Sequence, residues 1–249
     1  MSDASRNLPT NRILASLPPE DSAHLASVSR IERPAQGRIL NRSSESGTDI
    51  WFPLQGAIAL TTTDASGRAV QTGMVGCEGC VGLQALFGPG IPSPDAVVQI
   101  EGAMSVISAN HLRAAMDVRP PIQVALTKFL YGLSAESLQT IACNRLHSML
   151  SRCCRWLLTM QDKAKSDDLR LTQEDLATLL GGGRPRVNVI LAALEKNGIL
   201  RRYRGRIHLL TRAGLEQHSC ECYRRVRDAS ELLDTAPSRN PTVTSVTDS

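Results

Sequence analysis

The spacing of apolar residues changes character along the chain. Near the start, Leu17, Leu25 and Val28 keep a helical period. Pro18-Pro19 predicts a helix beginning there, because a proline in the first turn forfeits no intrahelical hydrogen bond. From Ile31 to about Ile107 the apolar positions shorten into runs, among them Ile39, Trp51-Phe52, Ile58, Leu60, Val70, Met74-Val75, Val97-Val98, Ile100 and Val106-Ile107. Glycines and turn residues separate them, and "LTTTDASGRAVQTGMV" reads as a hairpin turning at Asp64-Ala65-Ser66-Gly67. Short strands at this spacing predict an all-β barrel or double sheet of roughly one hundred residues.

The helical period returns at Ala109. After a short helix around "HLRAAM", Pro120-Pro121 opens a longer one, in which Ile122, Leu126, Phe129 and Leu133 form a stripe with coiled-coil spacing. Leu130, Ser134, Leu138 and Ile141 make a neighbouring stripe. Such a face needs a partner, either the chain's own β domain or a second copy of the helix. The expectation taken is a dimer seam through Ile122, Leu126, Phe129 and Leu133. "RLHSMLSRCCRWLLTMQDKA" predicts a further helix, and the polar ends, 1–10 and 235–249, are expected to be disordered.

Between Leu171 and Leu210 the signals become more specific. Thr172 has the chemistry of a helix N-cap, followed by acids where the helix dipole favours them. Gly181 to Gly183 stop that helix, and Arg184-Pro185 restart one. On the second helix Val187, Ile190, Leu191 and Leu194 share one face, leaving Arg184, Arg186, Asn188 and Val189 outward or flanking. Ile199-Leu200 and Ile207 to Leu210 read as strands around the basic turn Arg204-Gly205-Arg206. Two helices across a glycine turn, then a basic hairpin, predict a winged helix-turn-helix that docks on DNA.

Charge sharpens this reading. The segment from Arg184 to Arg212 holds eight basic residues and one acid, a net +7, in a chain whose total is +4. The remainder is therefore acidic by three charges, and the basic surface is local. Composition adds little: 42% hydrophobic with 3% aromatic implies an aliphatic core. The absence of a signal-like or membrane-length apolar run leads to the expectation of a cytoplasmic protein. No nucleophile–base pair, P-loop or paired carboxylates suggest an enzyme.

Seven cysteines are expected to be reduced thiols. Cys77 and Cys80 form a CxxC and Cys220 and Cys222 a CxC, which would suit zinc or an iron–sulfur cluster only if the pairs converged. They are expected in different domains. Cys143, Cys153 and Cys154 read as packing residues, and His147 and the other histidines as having no ligand spacing. Neither metal nor cofactor is therefore predicted.

"LTQEDLATLLGGGRPRVNVILAALEKNGILRRYRGRIHLLTRAGLE", together with "ACNRLHSMLSRCCRWLL" and "GMVGCEGCVGL", resembles the Crp/Fnr family of bacterial transcription regulators, notably a branch common in alphaproteobacteria. The resemblance implies an α+β fold. It consists of an N-terminal β-roll (double-stranded jelly roll) sensor domain over 11–117, a long dimerisation helix with linker over 118–165, and a C-terminal winged helix-turn-helix over 166–228. It also implies a homodimer on a palindromic operator, contact with RNA polymerase and the possibility of a small-molecule effector, with no membrane association.

Where cyclic-AMP-binding relatives open the recognition helix with Arg-Glu-Thr-Val-x-Arg, this chain has Arg184, Pro185, Arg186, Val187, Asn188 and Val189, so the DNA sequence read differs. Thr172, Gln173, Gly183, Arg184, Arg186, Asn188, Val189, Arg204 and Arg206 are the expected DNA contacts. By the same resemblance Gly76, Glu78, Gly79, Cys80 and Val81 would line an effector pocket. Ser93 or Pro94 stands where the phosphate-binding arginine is expected, which disfavours cyclic-nucleotide binding. The alternative is a signalling module in which a β-roll ligand, or redox or metal chemistry at Cys77 and Cys80, gates DNA binding.

Overall fold

The computed structural model describes residues 11–43, 47–65, 67, 69–88 and 91–235. The segments 1–10 and 236–249, read above as disordered, lie outside the described residues, as does Ser66 of the predicted turn. Thr235 itself closes the last helix.

Helices α1 (Arg12–Ala15) and α2 (Pro19–Ser27) precede seven strands: β1 (Arg30–Glu32), β2 (Ile39–Asn41), β3 (Asp49–Pro53), β4 (Ala57–Thr63), β5 (Ala69–Val75), β6 (Asp95–Ile100) and β7 (Met104–Ser108). They pair antiparallel in two sheets, ordered β1-β7-β3 and β2-β6-β4-β5. This is the double sheet expected from the run lengths. Alternation along a strand puts neighbouring side chains on opposite faces. Trp51, Met104 and Val106 thus pack between the sheets against Ile58, Leu60, Val75 and Val98. Ile50, Phe52 and Ile107 face outward, into a second core closed by helices.

That second core takes up part of the stripe expected at a dimer seam. Helices α3 (Ala109–Val118) and α4 (Pro120–Leu146) cover the β1-β7-β3 sheet, and Ile122 and Leu126 of α4 are buried there with Leu25, Phe52 and Leu112. Phe129 and Leu133 are partly buried on the β domain. Ile122 and Leu126 are therefore covered within their own chain, and Phe129 and Leu133 partly so. The neighbouring stripe stays outside: Leu130, Tyr131, Leu138 and Ile141 are 40%, 70%, 65% and 67% exposed.

Beyond α4 come α5 (Met149–Ala164), β8 (Asp168–Leu169), α6 (Gln173–Leu180), α7 (Arg184–Lys196), β9 (Leu200–Tyr203), β10 (Arg206–Leu209), α8 (Arg212–His218) and α9 (Cys222–Thr235). Leu157, Leu158, Leu176, Leu180, Val187, Leu191, Leu200 and Leu215 build their core. This core is continuous with Ala57 and Met74 of the β domain, because α6 packs on β5. Gln36 Nε2 donates to the Arg170 carbonyl across the same junction, and Arg170 pairs with Glu101. Among the described residues, no helix is long and apolar enough to cross a membrane.

Candidate nucleic-acid interface

Helix α6 starts as the sequence predicts. Thr172 Oγ1 accepts from the Asp175 backbone N–H at 3.1 Å, while Asp175 Oδ2 accepts from the Thr172 N–H at 2.7 Å. This reciprocal box satisfies two N–H groups that a helix start leaves orphaned.

Each of the three glycines has a different role. Gly181 ends α6 at φ +59, a left-handed conformation that costs a side-chain-bearing residue about 1 kcal/mol or more. A Cβ on Gly182 would stand 2.3 Å from Met149 Cε, so the turn and α5 approach closely there. Gly183 is the N-cap of α7 with ordinary φ, and no side chain caps that end. Pro185 then preorganises the first turn.

Helix α7 splits by face. Val187, Leu191 and Leu194 are buried, whereas Arg184, Pro185, Arg186, Asn188 and Val189 are exposed, Val189 by 69%. An exposed valine among arginines has no stabilising role on a free surface, and it suits contact with another apolar group. Among the described residues, Arg184 makes an open ion pair with Glu174, at 3.8 Å between side chains that are 66% and 72% exposed. Both partners are well solvated, so that pair is worth little and leaves the guanidinium available.

Beside α7 stands the hairpin β9–β10, with Tyr203 paired to Arg206 across Arg204 and Gly205. Gly205 takes φ +71, which the tight turn requires. Arg204 is exposed at the tip. The Arg206 guanidinium lies 5.0 Å over the Tyr203 ring and 3.7 Å from Asp168, so it is partly neutralised at rest. Strand β8 pairs β10 on its other edge. The β8–β10 pairing had no signal in the sequence reading.

The structure also brings together residues that sequence reasoning treated separately. Arg202 Nη1 donates to Asn188 Oδ1 at 2.8 Å, and Gln173 Nε2 reaches the same oxygen at 3.3 Å. Arg202 was counted only as part of the basic run. Its N–H and Nε also hold Glu195, at 2.8 and 2.7 Å. Those bonds keep the Glu195 carboxyl below the usual carboxylate range, the backbone N–H contributing most.

The expected effector pocket is occupied by the chain itself. Glu78 forms an ion pair with Lys163 of α5 and accepts the Gly76 N–H at 2.9 Å. A Cβ on Gly79 would stand 2.0 Å from Phe129 Cε2, so the ring lies directly on that glycine. Cys80 and Val81 are buried in the two cores. Phe129 of α4 thus packs on Gly79, and Lys163 of α5 on Gly76 and Glu78. Cys77 Sγ donates to the Leu54 carbonyl at 3.2 Å, and burial pushes the Cys80 thiol up, which makes it a poor nucleophile. The reading of Cys143 and His147 as isolated residues is also corrected. They lie with Cys220 and Cys222, with ligand atoms within 4.8 Å of one another. The signal was present as a Cys143–His147 spacing of one helical turn.

Residues 151–218 match a family model described as the Crp-like helix-turn-helix domain. Against curated protein sequences the chain has no match. Its fold is shared with solved structures of low sequence identity. One is the c-di-GMP responsive global regulator CLP of Xanthomonas campestris, at 16% identity and TM-score 0.65 over 77% of this chain and 99% of that one. FixK2 of Bradyrhizobium japonicum is 18% identical at TM-score 0.65, over 78% and 98%. A CRP-family transcriptional regulator of Thermus thermophilus is 19% identical at TM-score 0.65, over 76% and 96%. Residues 151–218 are therefore a Crp-like helix-turn-helix domain, a DNA-binding module, carried in a chain with the fold of the Crp/Fnr transcription regulators.

Proposed function

We propose that this chain is a homodimeric, sequence-specific transcription regulator of the cytoplasm that binds a palindromic operator and is not controlled by cyclic AMP. One observation carries the reading: Arg184, Arg186, Asn188 and Val189 share the open face of α7, directly above a buried face of Val187, Leu191 and Leu194. Polar and cationic groups fixed on a rigid helix are what base-edge recognition requires.

In this reading α7 enters the major groove. Arg184 or Arg186 reads a guanine, Asn188 an adenine and Val189 a thymine methyl. Thr172, Gln173 and the Gly183 end of α7 approach phosphates, as do Arg204 and Arg206 of the wing. The dimer forms through Leu130, Tyr131, Leu138 and Ile141. At about 100° per residue these span roughly a 100° arc of α4, beside the face spent on the β domain. Two recognition helices then meet successive major grooves about 34 Å apart. The module boundaries follow the sequence reading: β-roll 11–117, helical linker 118–165, winged helix 166–228. RNA polymerase is the further partner such a regulator engages.

The packing of Lys163 on Glu78 and of Phe129 on Gly79 supports regulation without cyclic AMP. The buried Cys80 argues against gating by a Cys77–Cys80 redox pair.

The test is selection of genomic fragments by the reduced protein without added ligand. A two-fold symmetric motif is expected, bound much more tightly than its isolated half. Equal affinity for whole and half site would overturn the dimer, and failure to enrich any motif, with or without cyclic AMP, would overturn the regulator.

A further inference from the structure

Away from the DNA-facing surface, four side chains meet where α4 ends and α9 begins. Cys143, in the last turn of α4, and His147, its C-cap, are four residues apart, about one helical turn. Cys222 is the first residue of α9, and Cys220 lies two residues before it. The three sulfurs and one imidazole nitrogen lie within 4.8 Å of one another. Cys143 Sγ is 3.5 Å from Cys220 Sγ, and Cys222 Sγ is 3.5 Å from His147 Nδ1. A tetrahedral zinc ion with bonds of about 2.3 Å to sulfur and about 2.0 Å to nitrogen spaces its ligand atoms roughly 3.5–3.8 Å apart.

The surroundings point to the same ligand. His147 Nε2 lies 3.3 Å from Glu221 Oε1, a contact that holds the proton on Nε2 and turns the Nδ1 lone pair toward the cysteines. Gln139 Nε2 donates to Cys222 Sγ at 3.0 Å. Arg155 is 2% exposed, its charge reaches Cys143, and its Nε and Nη2 have no hydrogen-bond partner among the described residues. A buried guanidinium left this way is costly unless an anion stands nearby. Three thiolates around a dication carry net −1, a second anion for Arg155 beside the Glu136 carboxyl whose charge it already feels.

We propose that Cys143, His147, Cys220 and Cys222 bind one zinc ion in a closed Cys3His site. Binding displaces the three thiol protons to solvent and leaves no open coordination position, so the ion is structural. It clamps the start of α9, and with it the winged-helix domain, to the end of the helix whose exposed stripe faces the second copy.

The full-length protein, purified under reductant without chelator, should hold about one zinc per chain by elemental analysis. After stripping, cobalt(II) should give thiolate-to-cobalt charge-transfer and tetrahedral ligand-field bands that saturate at one equivalent. C143S, C220S and C222S should lose these bands, and C77S should keep them. E221Q changes a side chain that is 54% exposed, so its folding is not at risk, and it should weaken zinc roughly 10–100-fold. The cobalt titration of the unmutated chain needs no variant to fold. Absence of both zinc and cobalt bands would overturn the site, as would bands that survive C143S and C222S. Iron with sulfide in anaerobic protein, or a Cys143–Cys220 disulfide in place of metal, would overturn it equally.

Discussion

Arg202 of the wing and Asn188 of the recognition helix share a 2.8 Å hydrogen bond, with Asn188 Oδ1 as acceptor. Bidentate reading of adenine needs that same oxygen to accept from the adenine amino group. At rest both lone pairs of that oxygen are taken, by Arg202 and by Gln173 Nε2 at 3.3 Å, so one of the two has to release it for an adenine. Arg202→Ala should therefore lower affinity for all sequences, through the lost cation, while raising the preference for adenine at the Asn188 position. Binding measured across the four bases at that position checks this. An unchanged preference would show that Asn188 does not use Oδ1 on DNA.

Arg184 and Arg204 should separate cleanly by the kind of affinity they supply. Arg184→Ala is expected to cost about 1–3 kcal/mol at one base position and little elsewhere. Arg204→Ala, at the exposed wing tip, should weaken all sequences alike and reduce the slope of log affinity against log salt by about 0.9. Titrations at several salt concentrations, on the operator and on scrambled DNA, distinguish the two.

The two faces of α4 make opposite predictions. Leu138→Asp, at a position 65% exposed, should leave the melting temperature of the monomer fold nearly unchanged but shift sedimentation from dimer to monomer. Ile122→Ala, at a position 1% exposed, should instead destabilise the fold by about 2–4 kcal/mol and leave the association intact once folded. A dimer that survives Leu138→Asp and Tyr131→Asp together would move the interface off this stripe.

The Glu78–Lys163 pair gives stability a definite pH dependence. Burial alone would raise the Glu78 carboxyl, but the Lys163 charge and the Gly76 N–H outweigh it and hold it below its ordinary 4.5. A depressed folded value means the contribution is fully present above the unfolded value and is lost as pH falls through the folded one. Glu136, near the same lysine, is pushed upward by burial and contributes with the opposite sign. Glu78→Gln should flatten the stability loss below pH 4.5, and Lys163→Met should cost about 2 kcal/mol at neutral pH. Urea midpoints measured across pH test both.

What could be read from the sequence was what is local. The Thr172 cap, the glycine break, the proline start and the basic hairpin each act within a few residues, so their order alone gives the winged helix. The same was not true of α4. Its two apolar stripes lie side by side, and a period of 3.6 cannot say which faces the chain's own sheet. Pairings between distant segments were equally hidden. Lys163 and Glu78 are 85 residues apart, and Cys143 and Cys220 are 77 apart. Only folding makes them neighbours. The CxC of Cys220 and Cys222 finds its companions at Cys143 and His147, not in the compact Cys77–Cys80 motif.

The Gly181–Gly183 turn, seated between β5 and α5, has a mechanical consequence. A helix of 13 residues is about 20 Å long, and α7 meets the three glycines at its N-terminal end. A tilt of roughly 10° about that end sweeps its far end through about 3.4 Å, the rise of one base-pair step. In the proposed two-fold pair the axis would repeat that tilt in the second copy, and the spacing between the two α7 helices would change with it.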